Sequence, residues 1–268
     1  MRTPLKRFGF HHIPETKDYT ETKTGKIYQK DAVELVGSLP DDSIDLVCFD
    51  PAYESLEKWR ELGTTTRLKQ SKGSSNKWFE LFPNLRYFDL FAQFFRVLKP
   101  GSHLYMFCDE ETRDLVCTGY SPQIDRYIDC RDQRTMAHGS GPLILAGFKY
   151  WKSIIWDKEH AGMGYHYRAQ HELIVFAEKV ERKGKHRRLN DPKPGDVLKY
   201  TRLKGKSFYP TEKPLELVKV LVGQSTNPGD TVLDPFCGSG VVGQACEALG
   251  RNYILGDIDP EEAIRRLK

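Results

Sequence analysis

Short apolar runs alternate along this chain with amphipathic stretches. Ile44-Asp-Leu-Val-Cys-Phe49 is an almost continuous apolar run ending at Asp50-Pro51, the pattern of a strand buried on both faces and stopped by proline. Over 85–98, apolar side chains recur at Leu85, Phe88, Leu90, Phe91, Phe94, Phe95 and Leu98. That spacing predicts a helix, and Lys99-Pro-Gly101 predicts its stop. His103-Leu-Tyr-Met-Phe107, Ser153-Ile-Ile-Trp156 and Glu172-Leu-Ile-Val-Phe176 read as further strands. Nearer the C-terminus the pattern predicts a helix over 214–222, a strand at Thr231-Val-Leu-Asp234, a glycine-rich turn, a helix over 241–249 and a last strand at Asn252-Tyr-Ile-Leu255. Such alternation over short connections predicts one α/β domain over 1–268, a mostly parallel sheet flanked by helices. Two stretches escape it. Residues 54–80 are polar, with Thr64-Thr-Thr66 and Lys69-Gln-Ser-Lys-Gly-Ser-Ser75, and read as a long mobile loop; residues 180–207 are basic.

Composition narrows the class. The 268 residues are 39% hydrophobic and 29% charged, with no 18-residue apolar run and no apolar stretch after the basic start. The six cysteines form no C-x-x-C pair, against a zinc ribbon or a disulfide-stapled domain. A cytoplasmic protein is expected. The net charge of +4 is unevenly spread: residues 179–206 hold eleven Lys/Arg against three acids, a local +8, leaving −4 on the other 240 residues. That asymmetry points to a polyanionic partner. His11, His12, His138, His160 and His166 lack metal-ligand spacing, so no metal is expected. Tyr150, Trp151, Trp156, Tyr165 and Tyr167 are expected to pack in the core, with base stacking as the alternative.

Gly238, Gly240 and Gly243 fit G-x-G-x-x-G between a predicted strand and helix, and Asp257 follows Gly238 by 19 residues. Glycines let the backbone approach a ligand, and an acid at the next strand's end can hold both hydroxyls of a ribose. This pattern alone leaves NAD, FAD and S-adenosylmethionine open. Asp234 at the strand tip would repel a pyrophosphate but suits a sulfonium and an ammonium. Asp50-Pro-Ala-Tyr53 stands at another strand exit. The Asp50 carboxylate and the Pro51 carbonyl can accept both hydrogens of an exocyclic amine while Tyr53 offers a ring for a base to stack on.

With these two motifs in this order, the chain resembles the amino-methylating DNA methyltransferases of the permuted β group, in which the catalytic motif precedes the cofactor motif. Further stretches extend the resemblance from about residue 27 to the C-terminus: Tyr28-Gln-Lys-Asp31-Ala-Val-Glu-Leu35, Val97-Leu-Lys-Pro-Gly101, His171-Glu-Leu-Ile-Val-Phe-Ala-Glu-Lys179, Tyr209-Pro-Thr-Glu-Lys-Pro-Leu-Glu-Leu217 and Gly250-Arg-Asn-Tyr-Ile-Leu-Gly-Asp257. The family's second tetrad proline is Ala52 here, which keeps the Pro51 carbonyl and loosens the loop.

The resemblance implies a Rossmann-like methyltransferase fold with circularly permuted motif order and loop insertions for DNA recognition. It implies S-adenosylmethionine as cofactor and duplex DNA as substrate, with base flipping. Asp50, Pro51 and Tyr53 would be catalytic. Asp31 and Ala32 would meet the cofactor adenine, and Thr211, Lys213 and Pro214 would close over its methionine. Asp50, Asp234, Phe236, Gly238, Ser239, Gly240 and Asp257 would complete that site. Asp at the head of the tetrad resembles members acting on adenine N6; cytosine N4 is the alternative, and a non-catalytic DNA-binding homologue a more distant one. DNA contacts are expected from Arg67 and Lys69 in the 54–80 loop, and from Arg182, Lys183, Lys185, Arg187, Arg188, Arg202, Lys204 and Lys206 in the basic segment. A homodimer and a cognate restriction endonuclease are left open.

Overall fold

Every apolar run read above as a strand lies in one nine-stranded sheet of the computed structural model, which describes residues 18–55, 80–121, 126–128, 135–136, 140–162, 167–180, 186–202 and 212–268. In chain order the described elements begin with β1 (Tyr19–Glu21), β2 (Gly25–Gln29), α1 (Ala32–Gly37), β3 (Ile44–Phe49), α2 (Arg86–Val97), β4 (Leu98–Cys108) and α3 (Glu110–Thr118). A small second sheet follows, β5 (Tyr120–Ser121), β6 (Arg126–Ile128) and β7 (Thr135–Met136), then α4 (Pro142–Leu145). The chain continues through β8 (Lys149–Asp157), β9 (His171–Glu178), β10 (Val197–Lys199), α5 (Leu215–Ser225), β11 (Thr231–Asp234), α6 (Val241–Leu249), β12 (Asn252–Asp257) and α7 (Glu261–Leu267). No described helix is long and apolar enough to cross a membrane.

The main sheet runs β1-β2-β12-β11-β3-β4-β9-β8-β10. Its neighbours are parallel except at β1–β2, β4–β9 and β9–β8. Strand periodicity then builds two cores. Val47 and Phe49 of β3 point to one face, where α1, α2, α3 and α4 bring Val36, Leu90, Phe91, Phe94, Leu115 and Leu143. Leu46 and Cys48 point to the other, where α5, α6 and α7 bring Val218, Val222, Val242, Ala245 and Leu267. All six β3 residues are buried, as the continuous apolar run requires of a strand covered on both faces. Tyr87, Leu90, Phe91, Phe94 and Val97 form the buried stripe of α2, each aromatic or aliphatic side chain stabilising the fold by about 1.5–3 kcal/mol.

The stop at Lys99-Pro-Gly101 is real, but no turn separates the helix from the strand. β4 begins at Leu98 and takes the three residues in, because Leu98 pairs with Ile44 and the Gly101 N–H donates to Lys179 O at 2.6 Å. α1, β1 and β10 are too short to be read from periodicity, and α3 and α7 carry too few apolar residues.

The strand order positions the site. β3 passes through α2 to β4 on one side, while its neighbour β11 passes through α6 to β12 on the other. Adjacent strands whose connections part in this way leave a crevice beyond their carboxyl ends. Asp50 immediately follows β3, and Asp234 ends β11.

Candidate active site

The crevice opens into a cavity of about 1240 Å3. Asp50, Pro51 and Tyr53 line it from the β3 exit, Asp234, Phe236, Gly238 and Ser239 from the glycine turn, and Asp31, Ala32, Lys213 and Asp257 from neighbouring segments. Gly240 and Pro214 stand behind the wall as the N-caps of α6 and α5.

Hydrogen bonds fold the glycine turn onto β12. Cys237 N–H donates to Gly256 O at 2.9 Å, and Gly238 N–H donates to Asp257 Oδ2 at 2.9 Å. Gly240 has a left-handed φ of 81°, which a side chain would strain. Gly243 matters for packing instead. A Cβ there would lie 2.6 Å from Leu267 Cδ1 and 3.0 Å from Leu255 Cδ1, so the missing side chain lets α6 pack closely on α7 and β12. Asp257 also accepts the Asp259 N–H at 3.0 Å, which fixes its carboxylate at the cavity wall beside the half-exposed Ile258.

Asp31 caps α1, accepting the N–H groups of Val33 and Glu34 at 3.0 and 3.3 Å. Arg86 of α2 clamps the same carboxylate in two bonds of 2.7 and 2.6 Å and holds it below the usual aspartate range. Asp31 therefore ties α1 to α2, and the Ala32 N–H beside it lies outside the helical ladder.

The Asp50–Tyr53 tetrad is held from the far side of its loop. Phe82 N–H donates to Ala52 O at 2.7 Å, whereas no described donor occupies the Pro51 carbonyl. Phe236 stacks on Phe49 at 5.8 Å and meets the edge of Phe82 at 5.1 Å, giving the cavity an aromatic side. Burial pushes the Tyr53 phenol far above its ordinary value, so the ring stays neutral.

Charge in the cavity is arranged in two groups. Asp50, Asp234 and Asp257 are all pushed above the usual carboxyl range by burial, Asp234 most strongly. Asp234 also accepts the Phe236 N–H at 3.0 Å. Against Asp50 lies Lys213, with its Nζ 2.6 Å from Asp50 Oδ2 and 3.2 Å from Glu172 Oε2. Lys158 reaches Glu172 Oε1 at 2.8 Å. Burial opposes both charges of the central pair, yet Lys213 and Lys158 pull the Glu172 carboxyl down to about 2, and Asp50 and Glu172 hold the Lys213 ammonium above the ordinary lysine range.

Residues 44–265 match the N6/N4 methyltransferase family, described as DNA methylase. The chain belongs to this family. Its full length is 27% identical to the Type II methyltransferase M.BamHI of Bacillus amyloliquefaciens and spans 62% of that protein. The chain is also 29% identical to the DNA adenine methyltransferase YhdJ of Escherichia coli K12, over 92% of this chain and 82% of the relative. The solved M1.HpyAVI–SAM complex covers 91% of this chain and all of its own at 25% identity, with a TM-score of 0.58. The sheet is thus that of a Rossmann-like methyltransferase, with the tetrad strand β3 earlier in the chain than its neighbour β11, which leads into the glycine turn.

The basic segment is divided by the fold. β9 starts beside the cavity and ends at Glu178, at the opposite end of the strands. Arg187 N–H donates there to Glu178 Oε1 at 2.7 Å, its guanidinium lies 3.9 Å from Asp230, and exposed Arg188 follows. β10 then returns parallel to β8, and exposed Arg202 lines the cavity mouth. Arg67, Lys69, Arg182, Lys183, Lys185, Lys204, Lys206 and Thr211 lie outside the described residues, as does Tyr165.

The aromatic expectation holds for Trp156, which is 1% exposed, and fails for two residues. Trp151 is 41% exposed because it is the extra residue of a bulge in β8, unpaired between Tyr150 and Lys152, and Tyr167, between β8 and β9, is fully exposed. Sequence reasoning missed Glu172, Lys158 and Phe107 as cavity residues, and Trp156, read first as core with base stacking as the alternative, is buried and lines the cavity as well. A charged residue at the head of an apolar strand run, as Glu172 is, was the available signal.

Proposed function

We propose that this methylase transfers a methyl group from S-adenosylmethionine to the exocyclic N6 amine of adenine in duplex DNA. The observation that carries the reading is a single cavity shared by Asp50 and the glycine turn. At about 1240 Å3 it exceeds the roughly 300–1,000 Å3 of a one-ligand site, so cofactor and base fit together. The lining suits the cofactor: Asp257 for the ribose hydroxyls, Phe236 and Ile258 for the faces of the adenine, Ala32 for a backbone contact at its edge, and buried acids for a cation. When bound, S-adenosylmethionine supplies an electrophilic methyl group on a sulfonium. Asp50 and the Pro51 carbonyl would accept the two amine hydrogens, orient the nitrogen lone pair and raise its electron density, while Tyr53 stacks on the base. The base has to leave the duplex, at a cost of a few kcal/mol. Asp50 at the head of the tetrad and the adenine-methylating E. coli relative support adenine as the target.

The test is incubation of unmethylated duplex DNA with protein and methyl-labelled cofactor, followed by nucleoside analysis. Label in N6-methyladenine at a fixed sequence is the expected result. N4-methylcytosine would move the target base, and unlabelled DNA would overturn the proposal.

Two further outcomes follow from the charge distribution. A carboxyl raised on folding stabilises the fold below its ordinary pKa, and that contribution is lost as pH rises through the raised value. The free methylase is therefore expected to melt at progressively lower temperature as pH rises from the ordinary aspartate value of 3.8 through the raised values of Asp234 and Asp257. Cationic cofactor should bind more tightly over the same range, with proton release visible by titration calorimetry in buffers of different ionisation enthalpy. For DNA, Arg202→Ala is expected to flatten the slope of log K against log salt by about 1, and Arg187→Ala by less. Salt titrations of duplex binding measure both.

A further inference from the structure

Four charges alternate along one wall of the cavity: Asp50, Lys213, Glu172 and Lys158, joined by contacts of 2.6, 3.2 and 2.8 Å. The ammonium of Lys213 lies 5.3 Å from the Phe107 ring centre, and that of Lys158 5.6 Å from the Trp156 ring centre. The Lys213 side chain is 9% exposed, so its charge depends on its carboxylate partners. If Asp50 receives the target amine, as in the function proposed above, Lys213 poses a problem. Positive charge grows on the amine nitrogen as the methyl group arrives, and an ammonium 2.6 Å from the carboxylate that holds this amine opposes it. Only an interaction that strengthens during transfer accelerates it.

We infer that Glu172 is a positioning residue for methyl transfer: as charge develops on the amine, Lys213 shifts from Asp50 toward Glu172, and Asp50 is left to the substrate. Lys213 already lies between the two carboxylates, so the exchange needs only a small side-chain movement. Lys158 fixes the other Glu172 oxygen and keeps that carboxylate facing Lys213. With its carboxyl held down to about 2, Glu172 serves as an anion and not as a proton acceptor near neutral pH. The strand register supports the arrangement. Glu172 pairs with Trp156 and shares its β9 face with Ile174, on the side of the sheet covered by α5, and Lys213 directly precedes the Pro214 cap of that helix.

The experiment compares single-turnover methylation at saturating DNA and cofactor for the unchanged protein, Glu172→Gln, Glu172→Asp and the double variant Glu172→Gln/Lys213→Met. Glu172→Gln leaves Lys213 on Asp50 alone, so the transfer rate is expected to fall about 10–100-fold while cofactor and DNA affinities stay within about threefold. Glu172→Asp should recover part of the rate. The double variant removes the cation that competes for Asp50 and, with cofactor raised to saturation to offset any contact Lys213 makes with the methionine, should be faster than Glu172→Gln. A structural role for Glu172 predicts the reverse, a double variant as slow as the single one or slower, and that result overturns the inference. So does a Glu172→Gln rate equal to that of the unchanged protein. Circular dichroism verifies that each variant is folded, cofactor titration sets the saturating concentration for each, and Glu172→Asp provides a second comparison if Glu172→Gln is not folded. Unchanged protein that labels DNA while the Glu172 variants behave normally overturns this inference alone, whereas unchanged protein that leaves DNA unlabelled overturns the functional proposal and this inference with it.

Discussion

Methyl transfer by Asp50→Ala is expected to be about 10³-fold slower at saturating DNA and cofactor, the scale on which one preorganised polar group contributes to an excluded site. Cofactor affinity should change little. Of the two proposed acceptors for the amine, the Pro51 carbonyl remains, but a single backbone oxygen can neither fix the nitrogen's orientation nor offset its growing positive charge. The local structure has reason to survive. Lys213 keeps Glu172 at 3.2 Å as a partner, and Phe82 still holds the loop through Ala52 O at 2.7 Å. Asp50→Asn should lie between alanine and the unchanged protein, because its amide oxygen accepts while its NH2 repels the amine. Single-turnover assays with labelled cofactor, paired with calorimetric cofactor titration, separate the two effects. An Asp50→Ala rate within about tenfold of normal, less than roughly 1.4 kcal/mol of barrier, would remove Asp50 from the chemistry.

Asp257→Ala is expected to act on the other reactant, weakening cofactor binding about 10²-fold, as the loss of charged hydrogen bonds to two hydroxyls implies. Its carboxylate also holds the turn, taking the Gly238 N–H at 2.9 Å and the Asp259 N–H at 3.0 Å. Truncation thus removes a ligand contact and frees the backbone that shapes the pocket. Asp257→Asn retains one acceptor oxygen and should recover part of the affinity. Titrations of cofactor without DNA, and of DNA at saturating cofactor, give the order of the effects. A loss of DNA affinity that precedes the loss of cofactor affinity contradicts the ribose assignment.

Much of this site was legible in the chain because its parts are local. β3, α2, β9, α5, β11, α6 and β12 each carry their own apolar period, and α6 runs over the residues its spacing predicts. The strand-turn-helix glycines and the tetrad are contiguous motifs. Other parts were less legible. α1 has six residues and depends on the Asp31 cap and the Arg86 clamp, and β10 has three residues and depends on β8. The basic segment read as one surface, yet Arg187 and Arg202 lie at opposite ends of the strands, because the chain between them runs back along β10.

Periodicity and contiguous motifs by themselves determined the α/β class, the order of the strands along the chain, and the acids and glycines offered at two strand exits. These properties depend on residues within a few positions of one another, where sterics and side-chain period act directly. Tertiary structure alone decided that β3 and β11 are neighbours whose connections diverge, which turns two separate motifs into one cavity. It also decided the charge chain, since Asp50, Lys158, Glu172 and Lys213 come from four segments, and only the pairing of Trp156 with Glu172 and the docking of α5 on the sheet bring their charges within bonding distance.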